Sequence, residues 1–199
     1  MQTNKKIILA TLSASRVKLL KESGLPWDVA ANEFKEELFE GDYHAIHTVE
    51  GVCEKVMSLA LGKANSIKHK HRNAIIVGCD TLGLIDGEIL TKPKGEADAT
   101  AMYNALENKP HFMITGVALV DTESRKTKTF CEISELIFLS IPKNYRQRQI
   151  ENGEAFRCSG GYTIESELGQ FAKIIQGSKD GVIGLPVALI QKELINFNI

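Results

Sequence analysis

The chain has 199 residues, 43% of them hydrophobic and 25% charged, and its formal net charge at pH 7 is −1. This length allows a sizeable core, so we predict one domain over residues 1–199, and the near-neutral charge excludes the strongly basic surface typical of nucleic-acid-binding proteins. No run approaches the roughly 18 apolar residues of a transmembrane helix, and four dispersed cysteines without a CxxC pair indicate buried free thiols in a reducing cytoplasm. We therefore expect a cytoplasmic protein that binds neither membranes nor nucleic acids.

Strand predictions rest on short apolar or alternating runs that end at polar turns. In chain order they cover residues 6–10, 74–79, 81–85, 112–120 and 128–139. Asp86-Gly87 between two apolar runs predicts a tight hairpin. The polar stretch VDTESRKTKTF predicts a longer turn between two further strands.

Helix signals lie between these strands. They cover residues 17–24, 49–63, 97–106, 142–153 and a last segment after residue 186. Gly24 and Gly153 are the predicted stops of two helices, and Pro142 is the predicted first helical residue of another. Because helices and strands alternate but hairpins are inserted, we predict an α/β protein with a mixed central sheet.

The first predicted strand runs into an unusual turn, ILATLSASRVKLL at residues 8–20. The turn contains Thr11, Ser13, Ser15 and Arg16 in place of the glycine or proline that a turn alone would need. Hydroxyl groups and a guanidinium before a helix indicate a ligand with oxygen atoms.

Asp80 follows the apolar run AIIVGC, and we predict that it lies at the carboxyl end of a buried strand. In open α/β sheets this is the place where ligands bind. A carboxylate there could hold a divalent metal or take a proton from water. The alternative is a turn residue whose side chain bonds the local backbone.

Three other charged residues have a functional and an ordinary interpretation. Lys92 precedes Pro93 and so has an extended backbone; it could bind a phosphate oxygen or be a solvated loop residue. Lys63 borders the apolar stripe of its helix and either extends to the surface or points into a cleft. Glu36 lies in an acidic run that could equally be a solvated loop.

Taken in order, several short stretches resemble the Maf family of nucleoside triphosphate pyrophosphatases along nearly the whole chain. They are LATLSASRVKLL at 9–20, Glu36, ALGKA at 60–64, GCDT at 78–81, TKP at 91–93, HFMITGV at 111–117, SGGY at 159–162 and VIGLP at 182–186. No P-loop, dinucleotide fingerprint or GxSxG elbow accompanies them. Their order and spacing carry the resemblance, since each stretch alone is unspecific.

The resemblance implies a Maf or ITPase-like fold, in which a mixed sheet is flanked by helices and two lobes enclose a cleft. It implies hydrolysis of a nucleoside triphosphate at the α-phosphorus, which releases a monophosphate and pyrophosphate, with Mg²⁺ or Mn²⁺ as cofactor. It also implies a homodimer.

The resemblance assigns roles to particular residues. Asp80 is the catalytic residue and, with Glu36, a metal ligand. The implied substrate-binding residues are Ser13, Arg16, Lys63, Thr81, Lys92 and Glu165. Ser15 departs from the family pattern because it replaces the first of two adjacent arginines. We expect either looser triphosphate binding or substitution by Lys18 or another cation.

Two subgroups of the family differ in the base they accept. One prefers dTTP and UTP and has a glutamine in Y-x-I-Q, whereas the other prefers 7-methyl-GTP and has a cysteine and a glutamate nearby. Cys158 and Glu165 resemble the second subgroup, while Thr81 and Tyr162 resemble the first. We predict 7-methyl-GTP or another modified nucleotide. The alternatives are a dTTP/UTP pyrophosphatase, a non-catalytic nucleotide-binding regulator of cell division, and an α/β domain of unrelated function.

Overall fold

A computed structural model describes residues 5–36 and 43–197 of the chain. Within these residues a seven-stranded sheet has the order β2-β1-β3-β5-β6-β7, with β4 paired to β3. The strands are β1 (Lys6–Ala10), β2 (Asp28–Ala30), β3 (Ala74–Ile85), β4 (Glu88–Leu90), β5 (Pro110–Asp121), β6 (Thr127–Phe138) and β7 (Ala172–Gln176). Strand β1 pairs in parallel with β2 and β3, and the remaining pairs are antiparallel. The predicted mixed α/β sheet is therefore confirmed.

Helices cover both faces of this sheet. They are α1 (Ala14–Glu22), α2 (Val49–Ile67), α3 (Glu96–Leu106), α4 (Lys143–Glu151), α5 (Lys179–Ile183) and α6 (Val187–Asn196). Gly24 and Gly153 follow α1 and α4 with φ of +68° and +76°, a conformation that glycine adopts without strain. Pro142 is the N-cap of α4, one position before the place we predicted.

Strand β3 corrects the prediction of two strands broken at Asp80. It is one strand of twelve residues, and Asp80 lies inside it. The first half of β3 pairs in parallel with β1, and this pairing ends where Gly78 lies opposite Ala10. On its other side β3 is antiparallel to β5, and this pairing continues beyond Gly78. Asp80 thus lies just past the end of the parallel part of the sheet. The polar pair Asp-Thr looks like a strand end in sequence, but both residues line a cleft while the strand continues.

The sheet separates several groups of buried side chains. On one face, Leu9 and Val77 pack with Leu20 of α1 and Ile190 of α6. On the other face, Ile8 and its neighbours pack against Ala60, Ala64 and Ile67 of α2. A further cluster, which includes Tyr103, Leu106, Phe138, Ile141 and Ile150, joins α3 and α4 to the β4 and β6 ends. These clusters form the core on both faces of the sheet.

The cysteines correct another prediction. Cys53 of α2 and Cys131 of β6 form a disulfide with Cα atoms 6.0 Å apart. The prediction of four free thiols is therefore wrong for these two cysteines. The pairing joins residues 78 positions apart and is visible only once α2 lies across the sheet. Cys79 and Cys158 are free. Burial raises the pKa of Cys79 to about 11, so this thiol stays protonated and unreactive at neutral pH.

Among the described helices, none combines the length and the apolar character that crossing a bilayer demands.

Candidate active site

The turn between β1 and α1 is held by its own hydroxyl groups. The Ser13 main-chain N–H donates to Thr11 Oγ1 at 3.0 Å, and Ser13 Oγ caps α1 by accepting from the Arg16 main-chain N–H at 3.4 Å. Ser13 and Ser15 line cavities at this end of the helix. Because the first main-chain N–H groups of a helix lack helical partners, this turn suits an anion.

Arg16 connects three segments of the fold. Its guanidinium donates from Nε to Gly184 O at 2.8 Å, from Nη1 to Cys79 O at 2.9 Å and from Nη2 to Thr81 Oγ1 at 2.9 Å. A guanidinium has five N–H groups, so two remain for a ligand. Arg16 therefore holds α1, β3 and the turn at Gly184 together. Only its two remaining N–H groups can make the predicted contact with phosphate.

A chain of hydroxyl groups continues from Arg16 into the core. Thr115 Oγ1 donates to Gly181 O at 2.8 Å and lies 2.8 Å from Thr81 Oγ1. Since each hydroxyl has one proton, Thr81 donates to Thr115 while it accepts from Arg16. Thr81 is thus engaged on both sides, and Thr115 is a supporting residue that sequence reasoning did not assign to the site.

Lys63 brings the two predicted metal ligands together. This lysine is buried on α2, and its Nζ lies 2.5 Å from Asp80 Oδ1 and forms an ion pair with Glu36 Oε1 as well. The two carboxylates therefore face one point from two different segments. Within residues 5–36 and 43–197 no cluster of three or more His, Cys, Asp or Glu side chains could hold a metal. Two carboxylates are nevertheless a donor set that fits Mg²⁺, which is usually held by one or two carboxylates plus substrate phosphates.

The predicted phosphate-binding and metal-binding residues line one cleft of about 600 Å³. They are Ser13, Arg16, Glu36, Lys63, Asp80, Thr81 and Lys92. Lys94, Arg157 and Ser159 also line it and were not predicted. The placement agrees with the predicted site, and the chemical roles stay predictions.

A smaller cavity of about 160 Å³ adjoins the cleft and shares Ser13, Thr81 and Ser159 with it. Glu165 lies on its wall, and Glu165 Oε1 pairs with Lys18 Nζ at 3.1 Å. This cavity is the candidate base pocket.

Tyr162 also lines the base pocket, and a hydrogen bond between its hydroxyl and the buried His111 ring positions the Tyr162 side chain. Tyr162 Oη and His111 Nε2 are 2.7 Å apart, and both side chains are buried. Burial lowers the pKa of His111 from its ordinary 6.5 to about 4. His111 is therefore neutral in the folded protein at neutral pH.

The low pKa of His111 predicts acid destabilisation. Between pH 6.5 and pH 4 the unfolded chain binds a proton at His111 that the folded protein does not, so the free energy of unfolding falls as the pH falls. From a folded pKa of about 4 we expect His111 to remove about 2 kcal/mol between pH 7 and pH 5. Urea unfolding at the two pH values should show this difference shrink in His111→Asn. The exposed-site control, His69→Asn, should keep the wild-type difference, and an unchanged difference in His111→Asn would contradict the prediction.

Comparison with known proteins decides the family. The sequence model of the family described as Maf-like protein matches residues 6–197. The chain belongs to the Maf family. The predicted resemblance is confirmed.

Curated Maf-family relatives align along almost their full length. The dTTP/UTP pyrophosphatase of Bacillus mycoides (strain KBAB4) is 34% identical over 194 residues, which are 98% of this chain and 96% of that protein. The dTTP/UTP pyrophosphatase of Bacillus pumilus (strain SAFR-032) is 36% identical over 193 residues, 97% of each chain. A solved nucleoside-triphosphatase / dITP/XTP pyrophosphatase from Mycobacterium abscessus is 15% identical, with a TM-score of 0.44 over 69% of this chain and 76% of that chain.

Proposed function

We propose that this chain hydrolyses nucleoside triphosphates to the monophosphate and pyrophosphate and that it prefers dTTP and UTP. The observation that carries the proposal is the arrangement of Lys63 between Glu36 and Asp80 in a cleft that Arg16 and Lys92 also line. A site with acidic and basic groups at close range suits a reaction in which water attacks a phosphorus surrounded by negative oxygens. Relatives at 34% and 36% identity are dTTP/UTP pyrophosphatases, which supports the same activity class.

In the proposed reaction, a water oxygen bonds to the α-phosphorus while the bond from that phosphorus to the α–β bridging oxygen breaks. Asp80 takes the proton that the water loses. The start of α1, with Lys92, binds the phosphate oxygens, and the leaving pyrophosphate retains the electron pair of the broken bond. Arg16 keeps Thr81 and the neighbouring backbone in place during this step.

We further propose that Glu36 and Asp80 hold Mg²⁺ or Mn²⁺ together with substrate oxygens. When bound, such a cation neutralises charge on the phosphates and lowers the pKa of water. Their common partner, Lys63, supports this assignment because it shows that the two carboxylates reach one point.

The base pocket favours dTTP and UTP over the 7-methyl-GTP that we predicted from sequence. That prediction rested on the resemblance of Cys158 and Glu165 to the second subgroup, in which a free carboxylate would suit the added positive charge of a methylated guanine. In the structure the Lys18 ammonium lies 3.1 Å from Glu165 and balances its charge. The dTTP/UTP alternative therefore fits better, in agreement with the names of the relatives.

A pyrophosphate-release assay over dTTP, UTP, GTP and 7-methyl-GTP, with Mg²⁺ or Mn²⁺, tests the function. We expect the highest kcat/KM for dTTP and UTP, and loss of turnover when the cation is chelated. Preference for 7-methyl-GTP would contradict the base assignment. Nucleotide binding without pyrophosphate release would support the non-catalytic regulator instead.

Removing the partner of Glu165 should shift base preference. In Lys18→Ala the Glu165 charge is no longer balanced, so we expect the ratio of kcat/KM for 7-methyl-GTP to that for dTTP to rise a few-fold. The effect is small because Lys18 is exposed and such ion pairs are weak. Lys21→Ala removes an exposed lysine from the same helix and should leave the ratio unchanged. An unchanged ratio in Lys18→Ala would contradict the proposed role of the pair.

The homodimer and the cytoplasmic location that we expected stay predictions. Light scattering of the purified chain measures the first directly.

A further inference from the structure

Several of the cations predicted to bind phosphate already contact groups of the protein. Lys63 is paired with Glu36 and Asp80, and Arg16 spends three N–H groups on protein oxygens. Lys18, which sequence reasoning considered as a substitute for the missing arginine, is paired with Glu165. The charges of Lys63 and Lys18 are therefore balanced by carboxylates of the protein, whereas Arg16 keeps its charge but has only two N–H groups left for a ligand.

Arg157 is a further cation at the same place. It is exposed and lines the cleft together with Lys92. In the part of the chain that the structure describes, ion pairs involve the neighbouring Arg146 and Arg148, and none involves Arg157. Its guanidinium is therefore available to a ligand.

Arg157 also lines the open cavity of about 810 Å³ that extends from the cleft past Ser15 to Glu165. Ser15 contributes a hydroxyl and no charge to this cavity, and Glu154 is the further acidic residue on its wall. Arg157 thus lies where the cleft with Asp80 and the side leading to the base pocket meet. A nucleotide that spans the two would place its phosphates there.

The backbone holds Arg157 beside Lys92. Arg157 caps the 3₁₀ turn Glu154–Phe156, with its N–H bonded to Glu154 O at 3.1 Å. Three residues later, the Gly160 N–H donates to Thr91 O at 3.1 Å, and the Tyr103 hydroxyl donates to Gly161 O at 2.7 Å. The Gly160 bond fastens the segment 157–161 to the loop that carries Lys92, and the Tyr103 bond fastens it to α3.

The two-glycine turn makes this attachment possible. Gly160 and Gly161 have φ of +77° and +71°, and two successive residues in this region favour glycine strongly. An effect of both cations on one group agrees with their proximity: burial raises the pKa of Cys158, and the charges of Lys92 and Arg157 oppose that rise.

We infer that Arg157 is a substrate-binding residue that grips the triphosphate opposite the start of α1, as a pair with Lys92. The inference deepens the proposed function and rests on it. The planar guanidinium presents two parallel N–H groups to phosphate oxygens, which a lysine cannot do. Arg157 therefore supplies the two-pronged phosphate contact for which Arg16 has few donors left.

Direct binding of inorganic tripolyphosphate, measured by titration calorimetry, tests this contact without turnover. In Arg157→Ala we expect Kd to rise at least about tenfold, because hydrogen bonds to charged groups are among the stronger ones that proteins make. Arg157→Lys keeps the positive charge but loses the two parallel N–H groups, so its Kd should lie between that of the wild type and that of Arg157→Ala. Arg72→Ala removes an exposed arginine before β3, outside the cleft, and should bind as the wild type does. Thermal unfolding confirms that each variant is folded.

The possible outcomes separate the two proposals. Wild-type affinity in Arg157→Ala, equal losses in Arg157→Ala and Arg72→Ala, or no tripolyphosphate binding by the wild type would each overturn the role of Arg157. If binding depends on Arg157 but the wild type releases no pyrophosphate from dTTP, the phosphate contact stands and the proposed hydrolysis is wrong. With hydrolysis present, Arg157→Ala should raise KM for dTTP by a similar factor.

Discussion

Replacing Asp80 with Asn should lower the rate of pyrophosphate release from dTTP by at least about 10²–10³-fold while the chain stays folded. The amide of asparagine has the shape of the carboxylate, and its oxygen can still accept a hydrogen bond from Lys63. In the wild type Lys63 Nζ lies 2.5 Å from Asp80 Oδ1. The amide cannot take a proton from water, and the substitution removes one of the two carboxylates proposed to hold a cation. The loss should therefore fall on kcat, as measured by steady-state pyrophosphate release.

Asp86→Asn is the matched control for this variant. Asp86 is exposed in the turn between β3 and β4 and has a φ of +51°, a region that asparagine tolerates as well as aspartate. We expect wild-type kcat from it. Near-normal kcat in Asp80→Asn, with unfolding unchanged, would reject the catalytic role of Asp80.

Gly116→Ala should cost about 3 kcal/mol or more of the free energy of unfolding, because α2 lies directly on the sheet at this point. A Cβ at Gly116 would lie 2.4 Å from the Val56 carbonyl carbon and 2.5 Å from Met57 N. Gly78 has the same relation to the helix, with the Ala60 carbonyl oxygen 2.1 Å from its added Cβ. These atoms are backbone, so relief requires α2 to move away from β3 and β5. Urea unfolding measures the loss.

The same displacement should reduce activity in the molecules that remain folded, because Lys63 is carried by α2 and bonds Asp80 on β3. Gly95→Ala serves as the control: an added Cβ meets nothing within 4 Å, and the extended backbone at this position suits any residue. Because Gly95 is the N-cap of α3, where alanine is less favourable, the free energy of unfolding of this variant should fall by about 1 kcal/mol at most. If Gly116→Ala unfolded at the same urea concentration as the wild type, the close packing of α2 on the sheet would be disproved.

Secondary structure was predictable where an element was long enough to show its period. The helical spacing over residues 49–63 lies inside α2, and Asp86-Gly87 forms the predicted turn between β3 and β4. Strands β2 and β7 and helix α5 have three to five residues and were missed. So few residues complete barely one or two periods, and their pairing partners are remote in sequence.

Candidate site residues were recognisable by type, order and spacing, because the chemistry of phosphate needs hydroxyl, cationic and acidic groups. Their mutual bonding was not recognisable. The Arg16 bond to Gly184 spans 168 positions, and the Lys18 pair with Glu165 spans 147. Arg157 could not be recognised from its type or spacing, since only its position two residues before SGGY set it apart.

The sequence by itself determined the family, the mixed α/β class and the residue types that gather at the site. Only the tertiary structure decided which charges are balanced inside the protein, which cysteines pair, and that Asp80 lies within a continuous strand. The physical reason is that composition and periodicity are local properties, whereas electrostatic balance depends on distances between segments that only folding brings together.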